Sequence, residues 1–199
     1  MNKTNTKKSE LSKQADDLRT ALFKHHPATI WLTGFSGAGK STIAFQLEHA
    51  LLASGHACYV LDGDVMRHGL TDDLGFSADD RKENIRRAAH VARLMNDAGV
   101  FVIAAFISPY RADRYMAKQI IGADRFVESW IAASLEKCEQ RDVKGLYKKA
   151  RAGEIVDFTG VSAPYEIPLD PDITIASGTL SVELSVNTLF TFIRDKHWL

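Results

Sequence analysis

Apolar residues along this chain fall into five short runs, at 28–33, 57–61, 100–107, 126–132 and 173–176. Between them, apolar positions recur every three or four residues. The runs have the length of strands, and the intervening stretches have the period of helices with one buried face. Ile43, Leu47, Ala50 and Leu51 mark such a face after the first run, and Ile85, Ala88, Ala92 and Met95 mark another before the third. Residues 112–121, 135–140 and the segment between Gly145 and Gly153 read as further helices. A last one spans 181–194, with Leu184, Val186, Leu189, Phe190 and Ile193 on its apolar side. The run 100–107 is apolar without interruption, as in a strand covered by helices on both faces. Boundary signals agree. Gly55 and Gly99 are placed to close helices, Ser77-x-x-Asp80 fits a capping box, and Pro109 ends the third run. Strands alternating with helices predict an α/β fold, a three-layer sandwich around a mostly parallel five-stranded sheet. Ahead of it, residues 1–10 are polar, with Lys3, Lys7 and Lys8, and are expected to be mobile. Leu11, Ala15, Leu18 and Leu22 predict a helix over 11–24 that is either a loosely docked arm or packs on the domain or on a second subunit. The predicted division is an arm at 1–26 and a single domain at 27–199.

Between the first run and the first helix stands Gly34-Phe35-Ser36-Gly37-Ala38-Gly39-Lys40-Ser41, the pattern G-x-x-x-x-G-K-[ST] of a phosphate-binding loop. Its glycines permit turns that aim successive N–H groups into one concavity. Lys40 brings a compact positive charge to the β- and γ-phosphates, and the Ser41 hydroxyl is a candidate Mg²⁺ ligand. The order strand, loop, helix is the one this chemistry requires, so the sandwich is expected to be of the P-loop nucleoside triphosphate hydrolase type. The second run ends in Asp62-Gly63-Asp64, at the sheet edge where open α/β folds place ligands, the alternative being a solvated turn with N-capping aspartates. Arg67 and Arg81 lie in a polar stretch that is either a second anion site or a solvated face. Ser108 follows the third run at the same edge, its hydroxyl serving either the site or nearby backbone.

Composition narrows the partners. The 199 residues carry 25 Lys+Arg against 25 Asp+Glu, a formal net charge of +0, which gives no general pull toward nucleic acid or an anionic membrane. Arg141, Lys144, Lys148, Lys149 and Arg151 form a local basic cluster flanked by Gly145 and Gly153. It is either a lid over bound nucleotide, at about 141–160, that neutralises the transferring phosphoryl group, or an exposed amphipathic helix. Cys58 and Cys138 are the only cysteines, which suits a reducing compartment. Residues 1–26 hold no apolar targeting core, and the run 100–107 is too short to span a bilayer. A cytoplasmic protein with no nucleic-acid or membrane partner is expected.

Several motifs then agree in order and spacing. They are Asp62-Gly63-Asp64-x-x-Arg67-x-Gly69-Leu70; Leu74-Gly75-Phe76-Ser77-x-x-Asp80-Arg81-x-Glu83-Asn84-x-Arg86-Arg87; Phe106-Ile107-Ser108-Pro109-Tyr110; Cys138-Glu139-x-Arg141-Asp142-x-Lys144-Gly145-Leu146-Tyr147-Lys148-Lys149-Ala150-Arg151-Ala152-Gly153-Glu154-Ile155; and Phe158-Thr159-Gly160. Together they resemble the adenylylsulfate kinase (APS kinase) family, from about residue 27 to the end. The resemblance implies transfer of the ATP γ-phosphoryl group to the 3′-hydroxyl of adenosine 5′-phosphosulfate (APS), giving 3′-phosphoadenosine 5′-phosphosulfate (PAPS). It also implies Mg²⁺, a homodimer and functional coupling to ATP sulfurylase. Matched position by position, Gly34, Phe35, Ser36, Gly37, Ala38, Gly39, Lys40, Ser41 and Arg141 are expected at ATP. Asp64, Arg67, Phe76, Arg81, Asn84, Ile107, Ser108, Lys144 and Phe158 are expected at APS, with Phe76 stacking on the adenine. Ser108 matches the family's phosphoserine position. Asp64 is the expected general base for the ribose hydroxyl, Asp62 is expected to support Mg²⁺ bound at Ser41, and Lys40 and the lid cations to neutralise charge. Direct in-line transfer is favoured over a Ser108 phosphoenzyme, since no base is assigned to that serine. The chain departs from the family pattern at Val65, commonly Asn, and at Ala132-Ala133-Ser134-Leu135, usually Asp-Ala-Pro-Leu. Another small-molecule kinase would account for the phosphate loop and lid but not for the stretch from Arg67 to Asn84, and a nucleotide sensor without turnover has no need of Asp64, Lys40 and Ser41 together.

Overall fold

The structure, a computed structural model, describes residues 3–199, with only the backbone described for residues 3–10 and Ser12. Five strands, β1 (Thr29–Thr33), β2 (Cys58–Asp62), β3 (Phe101–Ala105), β4 (Phe126–Ile131) and β5 (Ile173–Ile175), form one sheet in the order β2-β3-β1-β4-β5. Every pairing is parallel, so the expectation of a mostly parallel sheet is met in full. Each strand emerges at the same edge, and the phosphate loop, Asp62 and Ser108 all lie just beyond that edge. The chain leaves β1 toward β2 on one side and later crosses to β4 on the other, so its direction reverses beside β1. Open α/β sheets bind ligands at such a reversal.

The period-2 alternation of a strand divides the core into two layers. Ile30, Leu32 and Ile103 face α2 (Lys40–Ala53) and α8 (Val182–Asp195), whose Ile43, Leu47, Leu51, Leu189 and Ile193 are buried against them. Trp31, Val102 and Ala104 face α4 (Ala78–Asp97) and α5 (Arg111–Ile121), which bury Ile85, Ala88, Ala92, Ala117 and Ile121. Complete burial of a side chain such as Ile103 contributes about 1.5–3 kcal/mol. Leu184, expected on the apolar side of this helix, is instead 54% exposed in the first turn of α8. Caps follow the sequence signals. The Ser77 Oγ accepts from Asp80 N at 3.1 Å and donates to Asp80 Oδ2 at 2.7 Å.

Three elements differ from expectation. A short helix α3 (Gly63–Met66) follows β2 directly, because the Asp62 carboxylate accepts from the N–H groups of Asp64 and Val65 and so caps it. Val65 takes part only through its backbone, which explains why an apolar residue is tolerated there. Ser134 replaces the expected proline as helix initiator, its Oγ accepting from Lys137 N at the start of α6 (Leu135–Arg141). Finally, α1 (Lys3–Phe23) begins well before Leu11. The mobility expected of residues 1–10 concerns Met1, Asn2 and side chains that lie outside the described residues. α1 is anchored at its C-terminal end, where the Phe23 ring lies so close to Gly99 that an added Cβ would meet it at 2.7 Å. Leu11, Leu18 and Leu22 are 59%, 71% and 73% exposed, so the predicted apolar face does not pack on the domain. No helix among the described residues is long and apolar enough to cross a membrane.

Candidate active site

The loop after β1 turns on Gly34, at φ 155°, where a Cβ would stand 2.7 Å from the Ile131 carbonyl oxygen; no other residue fits between β1 and β4. The loop then feeds α2 at Lys40. The Lys40 side chain is buried, and its Nζ donates to the carbonyls of Gly34 (3.0 Å) and Phe35 (2.8 Å). Burial lowers its pKa to about 8, partly offset by the carboxylates of Asp62 and Asp64. The ammonium thus sits inside the loop, short of full solvation, ready for an anion. Beside it the Ser41 hydroxyl donates to Asp62 Oδ2 at 2.6 Å. This hydroxyl–carboxylate pair is a hard oxygen donor set at the mouth of the phosphate loop, which suits Mg²⁺ shared with phosphate oxygens and water. Among the described residues no cluster of three or more His, Cys, Asp or Glu forms a dedicated metal cage.

A cavity of about 590 Å³ runs from this loop to the far side of the sheet edge. Ser36, Gly37, Ala38, Gly39, Lys40, Ser41 and Arg141 wall one end; Arg67, Phe76, Arg81, Asn84, Ile107 and Ser108 wall the other; Asp62, Asp64 and Lys144 lie between. Phe76 is 57% exposed, with the Arg67 guanidinium 4.1 Å and the Arg81 guanidinium 5.6 Å from its ring centre. An apolar ring kept in solvent by two cations is a platform for a flat base. Arg67 donates to the carbonyls of Leu74 and Gly75, and Arg81 to those of Phe76 and Asp157. Burial pulls both guanidinium pKa values down, and Arg81 is lowered further by Arg67. Asn84 is buried with its Oδ1 lacking any partner within the protein. The polar stretch divides: Arg67, Phe76, Arg81 and Asn84 line the cavity, while Arg86 and Arg87 pair with Glu83 and Asp73 at the surface. The Asp64 carboxylate is exposed and paired with the Lys144 ammonium, which it holds above the usual lysine range.

The basic cluster divides. Arg141 reaches the carbonyls of Gly37, Ala38 and Ser177, and Lys144 reaches Asp64. Arg151 instead pairs with Glu139, and Lys148 and Lys149 lie outside the cavity. The segment is pinned over the phosphate loop through α7 (Leu146–Arg151), whose first N–H groups are capped by Asp142. The Tyr147 hydroxyl donates to the Ser36 carbonyl at 2.9 Å. Ser177, buried, donates its hydroxyl to the Ala38 carbonyl. Tyr147 stands within the motif from Cys138 to Ile155, though with no role attached to it, whereas Ser177 carried no motif signal and only its place beside the loop reveals it.

Two expected site residues, Phe158 and Phe35, do not line the cavity. Phe158 is buried behind the wall, edge-on to Tyr147 with ring centres 5.0 Å apart, because the chain turns at Asp157 (φ 54°) and sends only the Asp157 carbonyl toward Arg81. The Phe35 ring packs on Tyr165, so this residue serves the loop through its carbonyl. Ser108 is also unusual: buried, at φ 40°, with its Oγ accepting from Trp31 Nε1 at 3.1 Å.

The family model described as adenylylsulphate kinase matches residues 26–176. Adenylyl-sulfate kinase of Vibrio cholerae is 51% identical over 179 residues, spanning 90% of this chain and 83% of that protein. The enzyme of the same name from Staphylococcus haemolyticus is 54% identical over 172 residues, 86% of each chain. Among solved structures, APS kinase of Mycobacterium tuberculosis in complex with AMPPNP and APS superposes with a TM-score of 0.82 at 44% identity, covering 85% of this chain and 99% of that one. With a match this long and a sheet edge built as described, the chain belongs to the adenylylsulfate kinase family.

Proposed function

We propose that this protein transfers the γ-phosphoryl group of ATP to the 3′-hydroxyl of APS, releasing ADP and PAPS. The observation that carries the reading is the single cavity joining Lys40 to the Arg67–Phe76–Arg81 wall, with Asp64 between the two ends. ATP occupies the phosphate-loop end, its phosphates held by the loop N–H groups, Lys40 and Arg141. APS occupies the other, with its adenine on Phe76 and its anionic groups near Arg67 and Arg81. Asn84, whose Oδ1 is unpartnered, accepts from the substrate. Ser41 and Asp62 are the residues that would hold Mg²⁺; the ion bound with ATP neutralises charge on the phosphate oxygens.

In the reaction the ribose 3′-oxygen bonds to the γ-phosphorus, the bond to the bridging oxygen breaks, and its electron pair leaves with ADP. The hydroxyl proton passes to the Asp64 carboxylate, which substrate binding must first part from Lys144. Lys144 is then free to meet phosphate charge. The proposal keeps Ser108 out of the covalent chemistry, supported by the burial of its hydroxyl against Trp31. Residues 141–160 act as the lid of domain 27–199, supported by the contacts of Arg141, Lys144 and Tyr147 with the loop and Asp64. A homodimer belongs to the same reading, supported by the exposed leucines of α1. So do a cytoplasmic location, supported by two free buried cysteines, and a supply of APS by ATP sulfurylase. The test is incubation of purified protein with MgATP and APS. PAPS and ADP in equal amounts are expected, and ADP formed without PAPS would refute the assignment.

A further inference from the structure

We infer that Arg114 is a positioning residue for the acceptor end of the cavity, acting through the backbone of Ser108. This rests on the reading of that end as the APS site. Arg114 lies in the first turns of α5 and is 2% exposed, yet it does not line the cavity. Its guanidinium is spent on three acceptors from three other parts of the fold. Nε donates to Glu128 Oε1 on β4, Nη1 to the Ser108 carbonyl at 2.7 Å, and Nη2 to the Glu166 carbonyl at 2.8 Å. A planar fork can meet three acceptors at once; an ammonium on a flexible stem cannot.

The geometry matters because of what Ser108 is. Its φ of 40° is one that L side chains rarely adopt, so surrounding contacts must impose it. Trp31 Nε1 fixes the Ser108 hydroxyl, Thr33 Oγ1 donates to the Ile107 carbonyl at 2.8 Å, and Arg114 fixes the Ser108 carbonyl. The neighbouring loop is clasped on as well. Glu166 N donates to the Pro109 carbonyl at 2.8 Å, and its carboxylate accepts from Arg111 N at 2.7 Å. Arg114 is the group common to both loops and to β4. Its release lets Ser108 relax toward ordinary backbone angles and shifts the acceptor wall at Ile107, Ser108 and Pro109. The phosphate loop is held by other contacts, those of Arg141, Ser177 and Tyr147. The effect therefore falls on APS and spares ATP.

The experiment compares the unsubstituted protein with Arg114→Lys, which keeps the charge and removes the fork. Dissociation constants for APS and for AMPPNP are measured calorimetrically, with steady-state KM values for APS and ATP alongside. The expected result is about tenfold weaker APS binding, the scale of one lost hydrogen bond to a charged group, with AMPPNP affinity unchanged. A general loss of structure would weaken both ligands together, and that result, or unchanged APS affinity, would overturn the inference. Should Arg114→Lys fail to fold, Glu128→Gln loosens the same fork at a half-buried position; APS binding should weaken about threefold with AMPPNP unaffected, and an unchanged APS affinity overturns the inference equally. Failure of the unsubstituted protein to bind APS would instead bring down the reading of the acceptor end itself.

Discussion

Replacing Asp64 with Asn tests the chemistry most selectively. The substitution keeps the size of the side chain and removes its charge and basicity. Asp64 pairs only with Lys144, and both side chains are largely exposed, at 68% and 63%. An exposed pair of this kind contributes about 0–1 kcal/mol, so the fold should survive with its melting temperature nearly unchanged. The cap on α3 also survives, because Asp62 accepts from the backbone N–H of residue 64 and not from its side chain. A positioned general base contributes about 10²–10⁴ in rate, so kcat should fall by that factor. ATP affinity should change little, since the phosphate loop makes no hydrogen bond or ion pair with the Asp64 carboxylate, whose partner is Lys144. The assay is steady-state PAPS formation with calorimetric titration of AMPPNP and a thermal melt on the same preparation. Turnover within about threefold of the unsubstituted enzyme, well below the expected effect, would remove Asp64 from the role of base.

Three further outcomes follow from the same geometry. Phe76→Ala removes the stacking platform, so the APS KM should rise about 5- to 150-fold while the ATP KM holds, base–aromatic stacking being worth about 1–3 kcal/mol; equal changes in both would refute it. Lys40 has a pKa lowered to about 8 in the free protein and must be charged among phosphates. ATP binding near pH 8 should therefore take up protons and weaken as pH rises through that value, measured by calorimetry in buffers of different ionisation enthalpy; proton release would contradict the buried-ammonium account. Ser108→Ala should keep turnover within about tenfold, the loss reflecting the hydrogen bond from Trp31 that holds a strained loop, whereas abolished turnover in a folded variant would count against a purely structural serine.

What the sequence made legible is what is contiguous or periodic. The loop 34–41 announces itself because all its chemistry lies within eight successive residues, and β3 does so because a strand buried on both faces must be apolar throughout. Ser77 marks the start of α4 for an equally local reason. The helix α3 was legible only as an alternative, because its cap, Asp62, suggests a ligand site as readily as an N-capping aspartate. Arg114 was hidden for the opposite reason: Ser108, Glu128 and Glu166 meet it only once β1, β3 and β4 are side by side. The basic cluster read either as a lid or as an exposed amphipathic helix, and only Arg141 and Lys144 of it face the cavity, a division set by the turn between α6 and α7. Phe158 shows that a motif position fixes a residue's neighbourhood and not the direction of its side chain.

The central claim is that one phosphoryl group passes directly from ATP to APS across a single cavity. The stereochemical course at phosphorus tests it most directly, using ATP made chiral at the γ-position with sulfur and oxygen isotopes. One in-line displacement inverts the configuration, and inversion in PAPS is the predicted result. Retention would require two displacements through an enzyme-bound phosphoryl group and would contradict the account.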